Sequence, residues 1–405
     1  MGRGKLYSTN VLIKGVGTDD KLRVLASAAR FDVCGSGALE SKPGDLPFHF
    51  IHRAALPDGG CASLFKVLMT NACINDCAYC VSAASRKVRR TAFKPEELAR
   101  TFLDFNRRHL AEGIFLSSGI AENPNCAMEG IIKTAEILRR RLGFKGYIHA
   151  KMLPGASPDR IEAVCALASR VSVNIEAPTA AHLKRLSTQK NLLEGIMAPM
   201  HQAKSLQATH PGLIPAGQTT QFVVGAAGEQ DADILGTTAG LYQEVGLRRI
   251  YFSAYQPIPG SRLEGVPAAS PWRQHRLYQA DWLLRIYGFS LAEVSLALDG
   301  RGNLSLKTNP KLAIARARPW LFPVDVNRAG YEELLRVPGI GPLSAKRIVE
   351  MRRLRAVSSV DQLKKLRVRC REALPYIWFK GMAAPERQLC FLPELEEESY
   401  GGGRH

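Results

Sequence analysis

The stretch TNACINDCAYCVSAASRKVRR (residues 70–90) sets three cysteines, Cys73, Cys77 and Cys80, within eight positions and follows them with basic side chains. The spacing is C-x3-C-x2-C, with Tyr79 just before the last thiol. Structural zinc prefers four protein ligands, usually as two separated pairs, and no fourth cysteine or histidine lies near this loop in sequence. Three thiolates suit another group. They hold three irons of a cubane [4Fe–4S] cluster and leave the fourth iron open to an exogenous ligand. An open position implies chemistry, because a purely structural cluster is closed. Zinc and incidental thiols are the competing readings. The other cysteines are Cys34, Cys61, Cys126, Cys165, Cys370 and Cys390. An odd total of nine, one tight cluster and a start (MGRGKLYSTN) without an apolar signal argue against a disulfide framework and for a reducing, cytoplasmic setting. Cys165 lies in the apolar run IEAVCALAS and reads as core, and the scattered thiols show no spacing for a second cluster.

The cysteine loop follows LFKVLMT (64–70), the first of six short β-branched-rich runs. The others are IFLSS (114–118), YIHAKM (147–152), VSVNIE (171–176), TTQFVV (219–224) and IYFSAY (250–255). Helical patterns separate them. KPEELARTFLDFNRRHLAEG has Pro95 near its start and Gly113 just past its end, and two further patterns close on Gly143 and Gly246, the usual asymmetry of helix signals. Strands alternating with helices predict βαβ crossovers and a parallel sheet. The expected fold is therefore α/β, a partial (β/α)6 TIM-like barrel, with a doubly wound open sheet as the alternative. Such barrels keep their active sites at the carboxyl ends of the strands, where the cysteine loop falls. The expected domains are a helical extension over 1–60, the barrel over 61–260, a helical extension and linker over 261–318, a small all-α module over 319–381 and a tail over 382–405.

Lys and Arg outnumber Asp and Glu by 55 to 37, for a net charge of +18, and no apolar run reaches membrane-spanning length. From Arg316 to Lys380 there are 15 basic and 6 acidic residues, so half of the excess sits in about a sixth of the chain. That concentration favours a polyanionic partner. Within it, DVNRAGYEELLRVPGIGPLSAKRIVEMRR (325–353) reads as helix, tight turn PGIG (338–341), helix. Gly339 and Gly341 allow close backbone approach, and the N–H groups opening the second helix can take a phosphate without reading sequence. Lys346 and Arg347 add charge beside it. The pattern resembles the helix-hairpin-helix (HHH) DNA-binding module. SSVDQLKKLRVRCREALPYI (358–377) would be its second half, degenerate because RVRC replaces the glycine turn; a small helical packing module is the bland alternative.

With these motifs in view, the chain resembles the radical S-adenosylmethionine (SAM) superfamily, whose hallmark is C-x3-C-x-aromatic-C after the first strand of a partial barrel. The resemblance implies a [4Fe–4S] cluster on Cys73, Cys77 and Cys80 whose open iron binds SAM, and cleavage of SAM to a 5′-deoxyadenosyl radical. It also implies SAM contacts from the turn Ser117–Ser118–Gly119, which lacks the usual acidic follower although Glu122 is close. Further contacts would come from Asn174 and Glu176, placed on one face by strand alternation, and from Gly225 after the fifth strand, where Gln221 stands in place of a common glycine. Tyr251, Ser253 and Tyr255 are candidates for the adenine edge, and His149 and Lys151 for the substrate pocket. More narrowly, LASAARFDVCGSG (25–37), LMTNACINDCAYC, FLSSGI, GYIHAKMLPGAS, SVNIEAPT, QFVVGA and FPVDVNRAGYEELLRVPGIG resemble the DNA modification/repair radical SAM family. That likeness implies DNA as a partner, a uracil-DNA-glycosylase-like protein as a neighbour and an electron donor such as flavodoxin or ferredoxin. The alternatives are a DNA-binding protein with a structural or redox-sensing cluster and a radical SAM enzyme that modifies RNA.

Overall fold

The computed structural model describes residues 16–29, 50–55, 61–379 and 382, of which 53–55 and 61 are described by backbone alone. Cys34, Cys390, most of the 25–37 stretch and the tail beyond residue 382 lie outside the described residues. The chain divides into two compact units, Met1–Ile314 and Ala315–His405.

In the first unit, β1 (Ile51–Ala55), β2 (Cys61–Leu68), β3 (Gly113–Ser117), β4 (Tyr147–Lys151), β5 (Arg170–Ser172), β6 (Gln218–Val224) and β7 (Arg249–Ala254) form one sheet in sequence order. β1 is antiparallel to β2, and every later neighbour is parallel. A doubly wound sheet reverses its strand order at a switch point. Here the order never reverses, so crossovers of one hand keep their helices on one face and the other face curls inward. The partial (β/α)6 barrel is the outcome. Its helices are α1 (Thr18–Ala29) before the sheet, then α2 (Pro95–Arg107), α3 (Pro124–Glu136), α4 (Pro158–Leu167), α5 (Ala180–Leu186), α6 (Ala198–Thr209), α7 (Asp231–Glu244) and α8 (Pro271–Arg285), followed by α9 (Leu291–Ser295) and α10 (Pro310–Ala317).

Side-chain alternation sorts the two faces of the sheet. Phe65, Ile114 and Ile148 are register partners and face the helices. Phe65 meets Phe102 and Phe105 of α2 at centroid distances of 6.0 and 5.5 Å. α2 forms because Pro95 opens it, Glu96 and Glu97 complement its positive end, and Leu98, Phe102 and Phe105 recur on one buried stripe. Each such aromatic contributes about 1.5–3 kcal/mol on burial. The adjacent row, Lys66, Phe115 and His149, faces the lumen. It is far more polar than the branched aliphatic layers that fill a closed barrel.

Two local expectations are corrected. Residues 51–55, inside the stretch expected to be a helical extension, form β1, which pairs Ile51 with Phe65 and gives β2 a second neighbour. IHRAA lacks the β-branched-rich apolar run by which the other strands announce themselves. VSVNIE is not strand throughout, because β5 stops at Ser172. The Thr220 hydroxyl lies between the strands, accepting from the Ile175 N–H at 2.9 Å and donating to the Val173 carbonyl at 2.7 Å. The ladder resumes at Glu176, in the left-handed region at φ 66° and bridged to Phe222.

The second unit holds β8 (Val324–Asp325) and β9 (Ile377–Trp378), paired in parallel, around α11 (Tyr331–Arg336), α12 (Pro342–Arg352), α13 (Val360–Lys365) and α14 (Cys370–Ala373). Leu334, Val337, Ile340, Ile348, Val357 and Leu363 are buried within it.

Candidate functional site

The carboxyl ends of all six parallel strands open on one cavity. Leu68, Ser117, Lys151, Asn174, Val223 and Ser253 bring one wall position from β2 to β7 or just beyond. Cys73, Cys77 and Cys80 share that wall, and all three are free thiols. Among the described residues no three His, Cys, Asp or Glu side chains gather as ligands of a single metal ion do. Burial pushes the Cys77 thiol above its ordinary range, with Glu176 and Cys73 adding to the shift and Lys190 opposing it. Burial, with Cys77 and Cys73 adding, pushes Cys80 up to about 12. Ligation requires thiolates, so loading this site releases protons.

The loop has no regular secondary structure and is held by two charged hubs. Arg90 is 1% exposed. Its guanidinium donates to the carbonyls of Ser82 (2.9 Å), Ala83 (2.8 Å), Arg86 (3.1 Å) and Asn71, so it fills the inside of the turn the cysteines make. Asp76 accepts from Ser187 Oγ, Thr188 N–H and Thr188 Oγ at 2.5–3.1 Å and pairs with Arg262 at 3.3 Å. Burial raises the Asp76 pKa, but the Ser187 and Thr188 hydrogen bonds and Arg262 outweigh it and hold the carboxyl below the usual range. Arg86 donates to the Pro259 carbonyl, and Arg89 lies 3.8 Å from Asp20.

The structure brings Ser117, Ser118, Gly119, Asn174 and Glu176 together with the three cysteines on the cavity wall. Gly119 is required by its own neighbours, since a Cβ there would stand 2.4 Å from the Ala72 carbonyl of the cysteine loop. Glu122 is exposed and is not on the cavity wall. Gly225 is not brought to the cavity either. It sits at φ 89° against Ala269, whose Cβ would be 2.7 Å from an added Cβ, and its N–H is taken by Glu229. Ser253, Tyr255, Gln221 and Lys151 line the wall, whereas Tyr251 is buried and His149 lies deeper, 2.8 Å from Ser172 Oγ. Cys165 is fully buried core.

Sequence reasoning missed Lys190. Its ammonium donates to Glu176 Oε1 at 2.9 Å and Tyr79 OH at 2.8 Å, and the two ion-pair side chains are only 9% and 4% exposed. Burial alone would lower the Lys190 pKa; Cys77 and Glu176 reverse that and hold it charged. Glu176 Oε2 is buried without a hydrogen-bond partner. A free-thiol trio, a tight glycine turn and a carboxylate oxygen left unsatisfied on the same wall form a donor set that fits an open [4Fe–4S] cluster and a polar small molecule beside it.

In the second unit, α11 and α12 flank the PGIG turn. Residues 323–368 match the family model of a helix-hairpin-helix motif. Gly339 adopts φ 79°, and a Cβ there would lie 2.5 Å from the Arg369 carbonyl; its own carbonyl accepts the Arg369 N–H at 3.0 Å. The close approach this glycine permits is thus to the second half of the hairpin pair. There Arg367 takes the left-handed position at φ 63° without being glycine. Gly341 caps α12, followed by Pro342 at its first position. Lys346 is exposed 3.9 Å from Glu350, and Arg347 is half-buried. Arg353, Arg355, Lys364, Lys365, Arg369 and Arg371 are exposed around them.

No curated protein sequence matches the chain. Among solved structures it is similar to the FeFe-hydrogenase maturase HydG from Carboxydothermus hydrogenoformans (14% identity, TM-score 0.43, covering 54% of this chain and 50% of that one). It is also similar to a radical SAM methyltransferase from Sphaerobacter thermophilus (15%, 0.43, 58% and 66%) and to SuiB from Streptococcus suis (12%, 0.40, 54% and 45%). The chain spans about half the length of the maturases it matches. All these TM-scores are below 0.5 and carry no functional argument. Among the described residues no helix is long and apolar enough to cross a membrane.

Proposed function

We propose that the chain is a radical SAM enzyme acting on DNA. The observation that carries this reading is the trio Cys73, Cys77 and Cys80 on one cavity wall at the carboxyl mouth of a partial barrel. When bound by these thiolates, a [4Fe–4S] cluster supplies the electron for reductive cleavage of SAM. The protein's own part is positional. Arg90 and Asp76 fix the cysteine loop; Ser117, Ser118 and Gly119 present a turn beside it; and Asn174 and Glu176, the latter oriented by Lys190, offer polar groups to SAM. Gly225 acts through packing against Ala269. The flavodoxin or ferredoxin donor and the uracil-DNA-glycosylase-like partner rest on the family resemblance alone.

Anaerobic reconstitution followed by dithionite is expected to yield 5′-deoxyadenosine from SAM, and none from the Cys73→Ala/Cys77→Ala/Cys80→Ala triple variant. Fully iron-loaded wild type that leaves SAM intact overturns the reading.

DNA enters through the hairpin and the exposed cations around it. Binding is expected to be sequence-independent, and Lys346→Ala/Arg347→Ala lowers the slope of log affinity against log salt by about 1 for each phosphate contact removed. Titrations of duplex DNA, single-stranded DNA and tRNA at several salt concentrations check this. Tightest binding to tRNA moves the substrate to RNA.

A further inference from the structure

We propose that Ser82 donates its hydroxyl hydrogen to a sulfur of the [4Fe–4S] cluster held by Cys73, Cys77 and Cys80, and so holds that cluster's reduction potential up. The proposal rests on the reading of the three thiols as cluster ligands and gives a role to a residue that reading leaves without one. Ser82 stands two positions after Cys80 on the wall of the cysteine cavity and is 3% exposed. Its hydroxyl oxygen is buried with no hydrogen-bond partner among the described residues. A buried polar group of this kind calls for an explanation, and a group that fills the cavity beside it supplies one.

The backbone fixes where the hydroxyl lies. The Ala83 N–H donates to the Cys80 carbonyl at 3.3 Å and closes a turn over Val81 and Ser82. The Ser82 N–H donates to Cys80 Sγ at 3.4 Å, and the Ser82 carbonyl accepts from Arg90 at 2.9 Å. A serine side chain turns about a single bond, so with its peptide pinned beside the Cys80 sulfur the hydroxyl stays in that neighbourhood. By contrast, on the same wall Ser118 donates to the Gly119 carbonyl at 2.8 Å and Tyr255 to the Leu263 carbonyl at 2.7 Å.

The chemistry favours sulfur as the acceptor. Hydrogen bonds to an ionised acceptor are roughly twice as strong as neutral ones, and hydrogen bonds to the sulfurs are among the features that set a cluster's potential. Reduction passes one electron from an external reductant, dithionite in the test below, to the cluster. No bond breaks, and the Ser82 proton stays on its oxygen. The sulfurs become more negative, so a donor on them stabilises the reduced form more than the oxidised one and the potential rises. The Ser82 N–H is one such donor, and the hydroxyl is a second from the same residue.

The test uses the full chain reconstituted with iron and sulfide, without SAM or DNA. Ser82→Ala removes the hydroxyl and leaves the N–H. In a redox titration with dithionite followed by EPR, its midpoint is expected to fall by about 59 mV, a roughly tenfold loss of the reduced form's advantage for one electron. Electron–nuclear double resonance of the reduced cluster in H2O and D2O is expected to show an exchangeable proton that Ser82→Ala loses. Ser82→Thr keeps both the potential and the proton. An unchanged potential in iron-loaded Ser82→Ala overturns the proposal; if SAM affinity falls at the same time, the hydroxyl serves the cofactor instead. A shifted potential with the proton retained also overturns it, because the shift then comes from repacking. The absence of any such proton in the wild-type cluster overturns it without a variant. A chain that shows the shift and the lost proton yet leaves SAM intact supports the proposal while the radical SAM reading fails, so the two are separable. Wild type that takes up no cluster overturns both.

Discussion

Arg90→Met is expected to empty the cysteine loop of iron and to lower the thermal midpoint of the protein. The wild-type guanidinium satisfies the carbonyls of Asn71, Ser82, Ala83 and Arg86 at once. Methionine keeps the bulk of the side chain and removes every donor. A buried acceptor left unsatisfied costs about 1–3 kcal/mol, so two of the four approach the lower end of a domain's total stability of about 5–15 kcal/mol. The cheaper response is local: the loop opens and the carbonyls reach water. Cys73 and Cys80 flank the guanidinium closely enough to feel its charge, so opening separates the thiols that must converge. Lysine has one ammonium in place of a planar fork, and Arg90→Lys should recover only part of the loading. Iron and sulfide per chain after reconstitution, read beside the thermal midpoint, check both variants. Full loading and an unshifted midpoint in Arg90→Met would remove Arg90 from the site.

The same residue shows where sequence reading reached its limit. Arg86, Arg89 and Arg90 are consecutive basic signals with no periodicity to tell them apart, yet one meets a carbonyl, one an aspartate on α1, and one is the core of the loop. The barrel was legible because strand and helix signals are local: each of the six runs carries its own apolar content, and each helix its own Pro and Gly punctuation. The three cysteines were legible because their spacing is local too. Asn174 and Glu176 reach the cavity, but not by the alternation that predicted it, since Thr220 from β6 breaks the ladder between them and the strand. Gly225 carries a left-handed φ for packing against Ala269, a contact 44 residues away that no local pattern encodes.

Lys190→Met carries the second large effect, and Lys190 was illegible for a similar reason: its partners Glu176 and Tyr79 lie 14 and 111 residues away. Removing the ammonium leaves the Glu176 carboxylate buried without its ion-pair partner, with Oε2 already unsatisfied. Breaking one side of a buried pair costs about 3–5 kcal/mol, and urea unfolding of the single variant should show a loss of that order. Glu176→Gln/Lys190→Met removes both charges and should recover much of it, because replacing both members of a buried pair is often near neutral. A single-variant loss below about 1 kcal/mol, the range of exposed pairs, would mean that water already screens the site. Iron loading separates two further consequences. Lys190 also holds the Tyr79 hydroxyl, between Cys77 and Cys80, at 2.8 Å. If the double variant regains stability but not iron, that bond positions the thiols; if it regains both, the uncompensated Glu176 charge was what disordered them.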